Sequence, residues 1–366
     1  TGTESIIVAG TAIVGLGALL LLVQATYTIP LQAQLRFGTL SFIDLVRQAV
    51  LTVFILAFVV IGTGLMPFFW ASVASGVAVL SATLWFVRGE LSTLLPAFDV
   101  RIWRRVAHEV LPYGVAAAVG LVYFRLAVVI MSYIATPFET GIYSTAFRIV
   151  EVLTSLPWLA VATGFPILVH ARGDTARLRF ALQRMFEVSA IAGTGLALAV
   201  ALGAPFAVAV IAGPGFEDAV PVLRILGLAL VTCFLVATWS FALLSLERFR
   251  SLLVANTIGV VIVAAGTFAL EPSLGAEGAA IATVLGEAVL AALYVAILAR
   301  ADRELLPHFG FLWKVGLAAG VGALAVLLPL PALGEAVVGV AAYVALLLAV
   351  RGVPSELVEA FARRGS

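Results

Sequence analysis

The sequence predicts an all-α, polytopic transmembrane helical bundle with about eleven spans. Three observations carry this. Of 366 residues, 63% are hydrophobic and only 11% are charged, against about 25% charged in a soluble domain. The mean hydropathy is +1.17. The apolar residues fall in continuous runs, whereas a membrane barrel would alternate apolar and polar residues over about ten positions. A soluble enzyme, a nucleic-acid-binding domain and a disordered chain are thereby excluded. The one cysteine, Cys233, sits in an apolar run and reads as a small buried hydrophobe; it excludes a disulfide framework and a Cys-based metal site.

The spans follow from the interruptions. The first run, 6–31, ends at a basic turn containing Arg36. The second and third, 42–62 and 65–87, are separated by Gly62-Thr63-Gly64, and the third closes at Arg88. These three form the remainder of an N-terminal lobe, 1–88. The connector 89–111 is amphipathic in part: Trp103 with Arg101, Arg104 and Arg105 predicts a helix on an anionic inner leaflet. Six spans, 112–135, 141–169, 184–212, 217–245, 251–270 and 276–299, make a C-terminal lobe over 112–300. Their breaks are Thr136-Pro137, a basic stretch before Arg184, Gly213-Pro214-Gly215, Arg248, and Pro272 to Gly275. Two short runs, 315–330 and 335–350, give a terminal pair over 301–350, and 351–366 is a tail. Pro157, Pro166, Pro205 and Pro221 lie in or near spans, where each can kink its helix.

The placement of charge gives the orientation. All but three of the 21 Lys and Arg lie in alternate loops or the adjoining helix ends, and the intervening loops carry none. Short basic loops stay in the cytoplasm. The C-terminus, with Arg351, Arg363 and Arg364, is then cytoplasmic and Thr1 extracytoplasmic. A transporter with both termini inside would have an odd number of helices before Thr1, and about three are expected. Two cytoplasmic turns look alike: Pro30 to Gln48, around Arg36-Phe37, and Leu243 to Gly259, around Arg248-Phe249. Six spans separate them, so the copies share an orientation, as in parallel transporter repeats.

Three stretches carry a family resemblance. The first is Tyr123-Phe124-Arg125-Leu126-Ala127 followed by Glu139, Gly141, Tyr143, Ala146, Arg148, Glu151 and Pro157. The second is Gly213-Pro214-Gly215-Phe216, then Ala219, Pro221, Leu223-Arg224 and Leu226. The third runs from Asn256 through Gly275, Gly278-Ala279-Ala280, Ala282-Thr283 and Glu287. In this order they resemble the polysaccharide-biosynthesis flippases, the O-antigen and teichoic-acid exporters, of the superfamily that holds the MATE drug exporters and lipid II flippases. The resemblance implies a two-lobed transporter of about fourteen helices, lacking here its first three or so, that moves a lipid-linked oligosaccharide across the cytoplasmic membrane. Ala127 stands where many relatives carry an acid, so that acid's part in ion coupling is not carried over.

Charges at membrane depth mark function by default. Arg125 and Glu151 lie roughly ten residues from the external ends of consecutive helices, about 15 Å deep. Arg148 precedes Glu151 by three, on the same face. Two readings stand side by side. Arg125 and Glu151 form an ion pair that fixes two helices, or Arg125 and Arg148 form a cationic wall that binds a pyrophosphate head group, with Glu151 as counter-ion. Arg suits phosphate because its planar fork stays charged and binds bidentately. Arg224, about 10 Å from the outer face, snorkels to the interface or gates the external side. Glu287, also near mid-depth, is a candidate for a coupling H+ or Na+, or pairs with a neighbouring polar group.

His108, His170 and His308 are scattered, and no P-loop, H-E-x-x-H or nucleophile elbow is present. No enzyme activity, cofactor or nucleic-acid partner is expected. The expected partners are the lipid-linked substrate, membrane lipids, a coupling ion and glycan polymerases or glycosyltransferases. A MATE-like exporter of organic cations and a non-transporting scaffold of a glycan-assembly complex are the alternatives.

Overall fold

The computed structural model describes residues 2–34, 36–89, 99–158, 168, 174–246 and 248–353. Among them the regular structure is helical throughout. The chain divides into two compact units, Thr1–Arg104 and Arg105–Ser366.

The first unit holds α1 (Gly2–Tyr27), the short α2 (Ile29–Ala33), α3 (Phe37–Ile61) and α4 (Met66–Val87). α4 packs against both α1 and α3. Its contact with α1 is close because small residues meet there: a Cβ on Gly76 would stand 3.0 Å from the Cβ of Leu20, and one on Gly17 3.1 Å from the Ser72 backbone. Small residues at a helix crossing are how membrane helices gain packing energy without a hydrophobic driving force. Gln24 Nε2 donates to Thr83 Oγ1 across the same contact, 3.1 Å. The opposite side of α3 presents Leu56, Val59 and Val60 outward, as a lipid-facing surface should.

The second unit is built on α8 (Ala219–Ser245), which packs against α7 (Thr175–Ile211), α9 (Phe249–Ala301) and α6 (Pro137–Leu153). Leu223, Leu226, Leu230, Trp239 and Leu243 of α8 are all buried. On the α7 side Phe186 stacks on Trp239, and the buried hydroxyls of Ser189 and Thr238 lie 2.6 Å apart. α10 (Leu312–Ala323) and α11 (Ala332–Ala349) close on α7, where Tyr343 Oη donates to the Ile191 carbonyl at 2.8 Å. Gly193 lets α7 and α8 meet, since a Cβ there would be 3.1 Å from Val231 Cα, and backbone cannot yield as a side chain can. Gly193→Leu should therefore destabilise the unit by about 1–3 kcal/mol, measured as a fall in the thermal midpoint of the detergent-solubilised protein.

The sequence places breaks that the structure moves. Of the connector 89–111, residues 90–98 lie outside the described residues; the part from Val100 onward and the span 112–135 are joined in one helix, α5 (Val100–Ile134). It continues through Pro112, where the sequence reading began a span; proline removes one backbone hydrogen bond but does not oblige the helix to end. The span 184–212 starts nine residues earlier, at Thr175, because Asp174 caps it through the Arg177 amide. The run 315–330 is helical only to Ala323, then tightens to a 3-10 turn at Leu324–Leu327. Part of 141–169, and His170, lie outside the described residues. Eight helices among the described residues are long and apolar enough to cross a membrane. The 53-residue α9 is one of them, yet it reverses at Gly275, the single non-helical position inside it. The arms pair antiparallel about this point: Gly266 faces Ala282, and Tyr294 Oη donates to Asn256 Oδ1 at 2.8 Å. Runs 251–270 and 276–299 are thus two helices of a hairpin.

The two similar turns share a backbone conformation. Arg36 and Arg248 each precede a helix, with φ/ψ of −80/56 and −86/44. In each, the Arg amide donates to the carbonyl five residues back, Leu31 at 2.9 Å and Leu243 at 3.0 Å.

Candidate functional site

α6 starts sharply. Thr136 accepts a hydrogen bond from the Glu139 amide and Pro137 fills the first turn, the position where its missing N–H is not needed. That start fixes the register that puts Arg148 and Glu151 on one face. The neighbouring α5 brings Arg125 to the same carboxylate. Arg125 Nη2 pairs with one Glu151 oxygen, and Arg148 Nη1 with the other at 3.2 Å. Glu151 is 19% exposed, whereas Arg125 and Arg148 are 59% and 71% exposed. One partly buried carboxylate is thus held between two accessible guanidiniums, leaving a net positive charge. Both sequence readings meet in this geometry: an ion pair ties the two helices, and the same donors are open to an incoming anion.

Glu287 is elsewhere. It is 6% exposed, on the second arm of α9, and the side chains acting on its carboxyl are Tyr123 of α5 and Cys233 of α8. Neither carries positive charge. Tyr294, which hydrogen-bonds Asn256, also faces it. The Tyr123 hydroxyl is buried without a hydrogen-bond partner of ordinary length among the described residues. Cys233 is a small buried residue, as expected, but also part of this polar pocket. Tyr123 and Arg125 are two apart on α5, so they point about 200° from each other: one toward Glu287, the other toward Glu151.

Glu139 joins these two places, a role its motif position did not reveal. Its Oε2 accepts from the Ala276 amide at 2.7 Å, capping the second arm of α9 where the helix dipole favours an acid. Gly275, at φ +55, leaves room for that carboxylate: a Cβ there would lie 2.6 Å from Oε2. One turn on, Tyr143 Oη and Thr283 Oγ1 are 2.9 Å apart. The helix carrying Arg148 and Glu151 is therefore pinned at two points to the arm carrying Glu287.

Arg224 does not reach the other charges. Its Nε donates to the Ala201 carbonyl of α7 at 3.1 Å. Ala201 is four residues before Pro205, so its carbonyl has no amide to accept from within the helix. Arg224 takes the place of that missing donor. Arg224→Ala should lower stability by about 1–3 kcal/mol through the orphaned carbonyl, read as a lower thermal midpoint. A gating residue would instead alter transport with the midpoint unchanged.

A family model for a polysaccharide biosynthesis protein matches residues 3–221. No curated protein matches the sequence. Among solved structures, the fold is similar to the lipid II flippase MurJ in an inward closed conformation, with a TM-score of 0.63 and 13% identity over 78% of this chain. The chain spans 61% of the length of that structure. With more than half of its length matched, this multi-pass helical membrane protein belongs to the polysaccharide biosynthesis protein family.

Proposed function

We propose that the protein works as a flippase, carrying a lipid-linked oligosaccharide from the inner to the outer leaflet of the cytoplasmic membrane by alternating access. The observation that carries this is the Arg125–Glu151–Arg148 triad. Two guanidiniums at span depth are costly unless they face water or an anion, and a pyrophosphate linking sugar to lipid offers oxygens that fit their forks. On binding, the head group displaces Glu151 from its partners, and on release Glu151 returns, so the empty site is never left with two unpaired cations. Family membership and the fold support the same reading. The C-terminus is cytoplasmic in this scheme, and glycosyltransferases or a glycan polymerase are the natural partners.

Glu287 supplies the coupling site. A carboxylate buried among tyrosine, cysteine and apolar groups needs a proton or a bound cation to offset its charge. The clamp of α6 on α9 relays that change to the triad. The test is a flipping assay in proteoliposomes with a fluorescent lipid-linked oligosaccharide and an external quencher. If folded Arg125→Ala and Arg148→Ala proteins flip at the native rate, the triad is not the binding site and the reading fails.

A further inference from the structure

The hairpin of α9 brings its two ends to one end of the second unit: the first arm starts at Phe249 and the second finishes at Ala301. α8 finishes there at Ser245, and α7 starts there at Thr175. Between these helix ends lies a half-open cavity of about 260 Å³, lined by Leu178, Leu246 and Leu305 and by the polar Thr175, Arg248 and Asp302. That is far more than the roughly 10–15 Å³ a single water requires. Arg248 is the residue before Phe249, and Asp302 the residue after Ala301. Each therefore stands at the unfavourable pole of its helix, a cation at the positive N-terminus and an acid at the negative C-terminus. Neither offsets the other, for among the described residues neither has an ion-pair partner. Capping accounts for part of Asp302: its Oδ1 accepts from the Glu304 amide at 2.9 Å. Its Oδ2 and the Arg248 guanidinium have no hydrogen-bond partner among the described residues.

We propose that this cavity is a binding site for a phosphoethanolamine group, with its phosphate on Arg248 and its ammonium on Asp302. A ligand with one charge of each sign answers both misplaced charges, which a simple anion or cation does not. The planar guanidinium takes phosphate oxygens, and the Thr175 hydroxyl donates to another. A primary ammonium brings N–H donors to the carboxylate, whereas choline, with no N–H, brings none. The leucines suit the glycerol and first acyl carbons of a phospholipid. The ends of spanning helices lie at head-group level, so such a lipid is at hand; in the orientation proposed above it belongs to the inner leaflet. The residues of this cavity are separate from the Glu151 triad and from the Glu287 pocket.

The test is native mass spectrometry of the whole protein, released from detergent containing equal phosphatidylethanolamine and phosphatidylcholine with the same acyl chains. The first lipid bound should be the ethanolamine lipid by about 10-fold or more, the worth of one charge-assisted hydrogen bond. Asp302→Asn should bring that ratio close to one, since its amide oxygen still caps Glu304 but no longer draws a cation. Arg248→Gln should lower the retention of both lipids by about 10-fold, because both carry the phosphate. Arg250→Gln, whose side chain does not line the cavity, should change neither. The preference is a ratio between two lipids on the same protein, so a loss of folded material cannot imitate its disappearance. Added glycerophosphoethanolamine separates the sources: displacement of the lipid by it assigns the site to a soluble head group, and failure to displace assigns it to the bilayer lipid. Equal binding of the two lipids to the native protein, a preference that survives Asp302→Asn, or retention indifferent to Arg248→Gln overturns the proposal.

Discussion

Arg148→Ala should slow flipping of a pyrophosphate-linked substrate by about 10- to 100-fold at low substrate, the equivalent of losing one charge-assisted contact of about 1.5–3 kcal/mol. Its thermal midpoint should barely move, because a side chain 71% exposed contributes little through its ion pair. Arg148→Lys should recover only part of the rate, since a point charge lacks the planar fork. Glu151→Gln should act in the opposite direction on binding. With the counter-ion neutral, nothing competes with the head group for Arg125 and Arg148, so the apparent KM falls. Release then lacks the returning carboxylate, and the maximal rate falls as well. A purely structural ion pair would give a different pattern: neither substitution would change the KM, and any effect on rate would follow a loss of folded protein. Measuring initial rates over a range of substrate, with thermal unfolding of the same preparations, separates the two.

Glu287→Gln should abolish the response of transport to an imposed proton or sodium gradient while leaving the protein folded. Glutamine keeps the shape and can still hydrogen-bond in the pocket, but it neither takes up a proton nor attracts a cation. The expected result is a rate that no longer rises when a gradient is applied, falling to the level the native protein shows with no gradient. That loss should be several-fold or greater, because a change of charge in a buried pocket is the largest electrostatic event available there. If the variant still responds fully to the gradient, the coupling site lies elsewhere. If it unfolds, Glu287→Asp provides the second measurement: a retained but weakened response keeps the proposal, and a native response in a protein with a shortened acid removes it.

Much of the fold was legible because the bilayer imposes coarse rules. Run length and the alternation of arginines place helices such as α4 and α8 within a few residues of their observed bounds, whereas α3 begins more than a turn before its apolar run. Caps and breaks were less visible. Asp174 extends α7 beyond its apolar part, and Pro112 leaves α5 intact, because helix ends answer to hydrogen bonding as well as hydropathy. For the site, depth counting brings Arg125 and Glu151 to one level and helical spacing puts Arg148 one turn away on the same face, and the structure joins all three. Counting gives height along a helix but not the direction a side chain takes. Glu287 and the triad were therefore at similar depth on paper and are in separate surroundings in the molecule. Glu139 was hidden for a related reason: its partner is a backbone amide far along the chain, and backbone groups leave no mark in a sequence. The Arg224–Ala201 contact was half legible, since Pro205 announces an unclaimed carbonyl but not which side chain will claim it.

That contact has an evolutionary corollary. A proline and an arginine on different helices have become mutually dependent, each tolerable chiefly because of the other. Restoring an ordinary amide with Pro205→Ala should make the guanidinium dispensable, so that Arg224→Ala, harmful alone, becomes nearly silent in the double variant. Lineages that replace this proline should therefore be free to drift at position 224, and those that retain it should not.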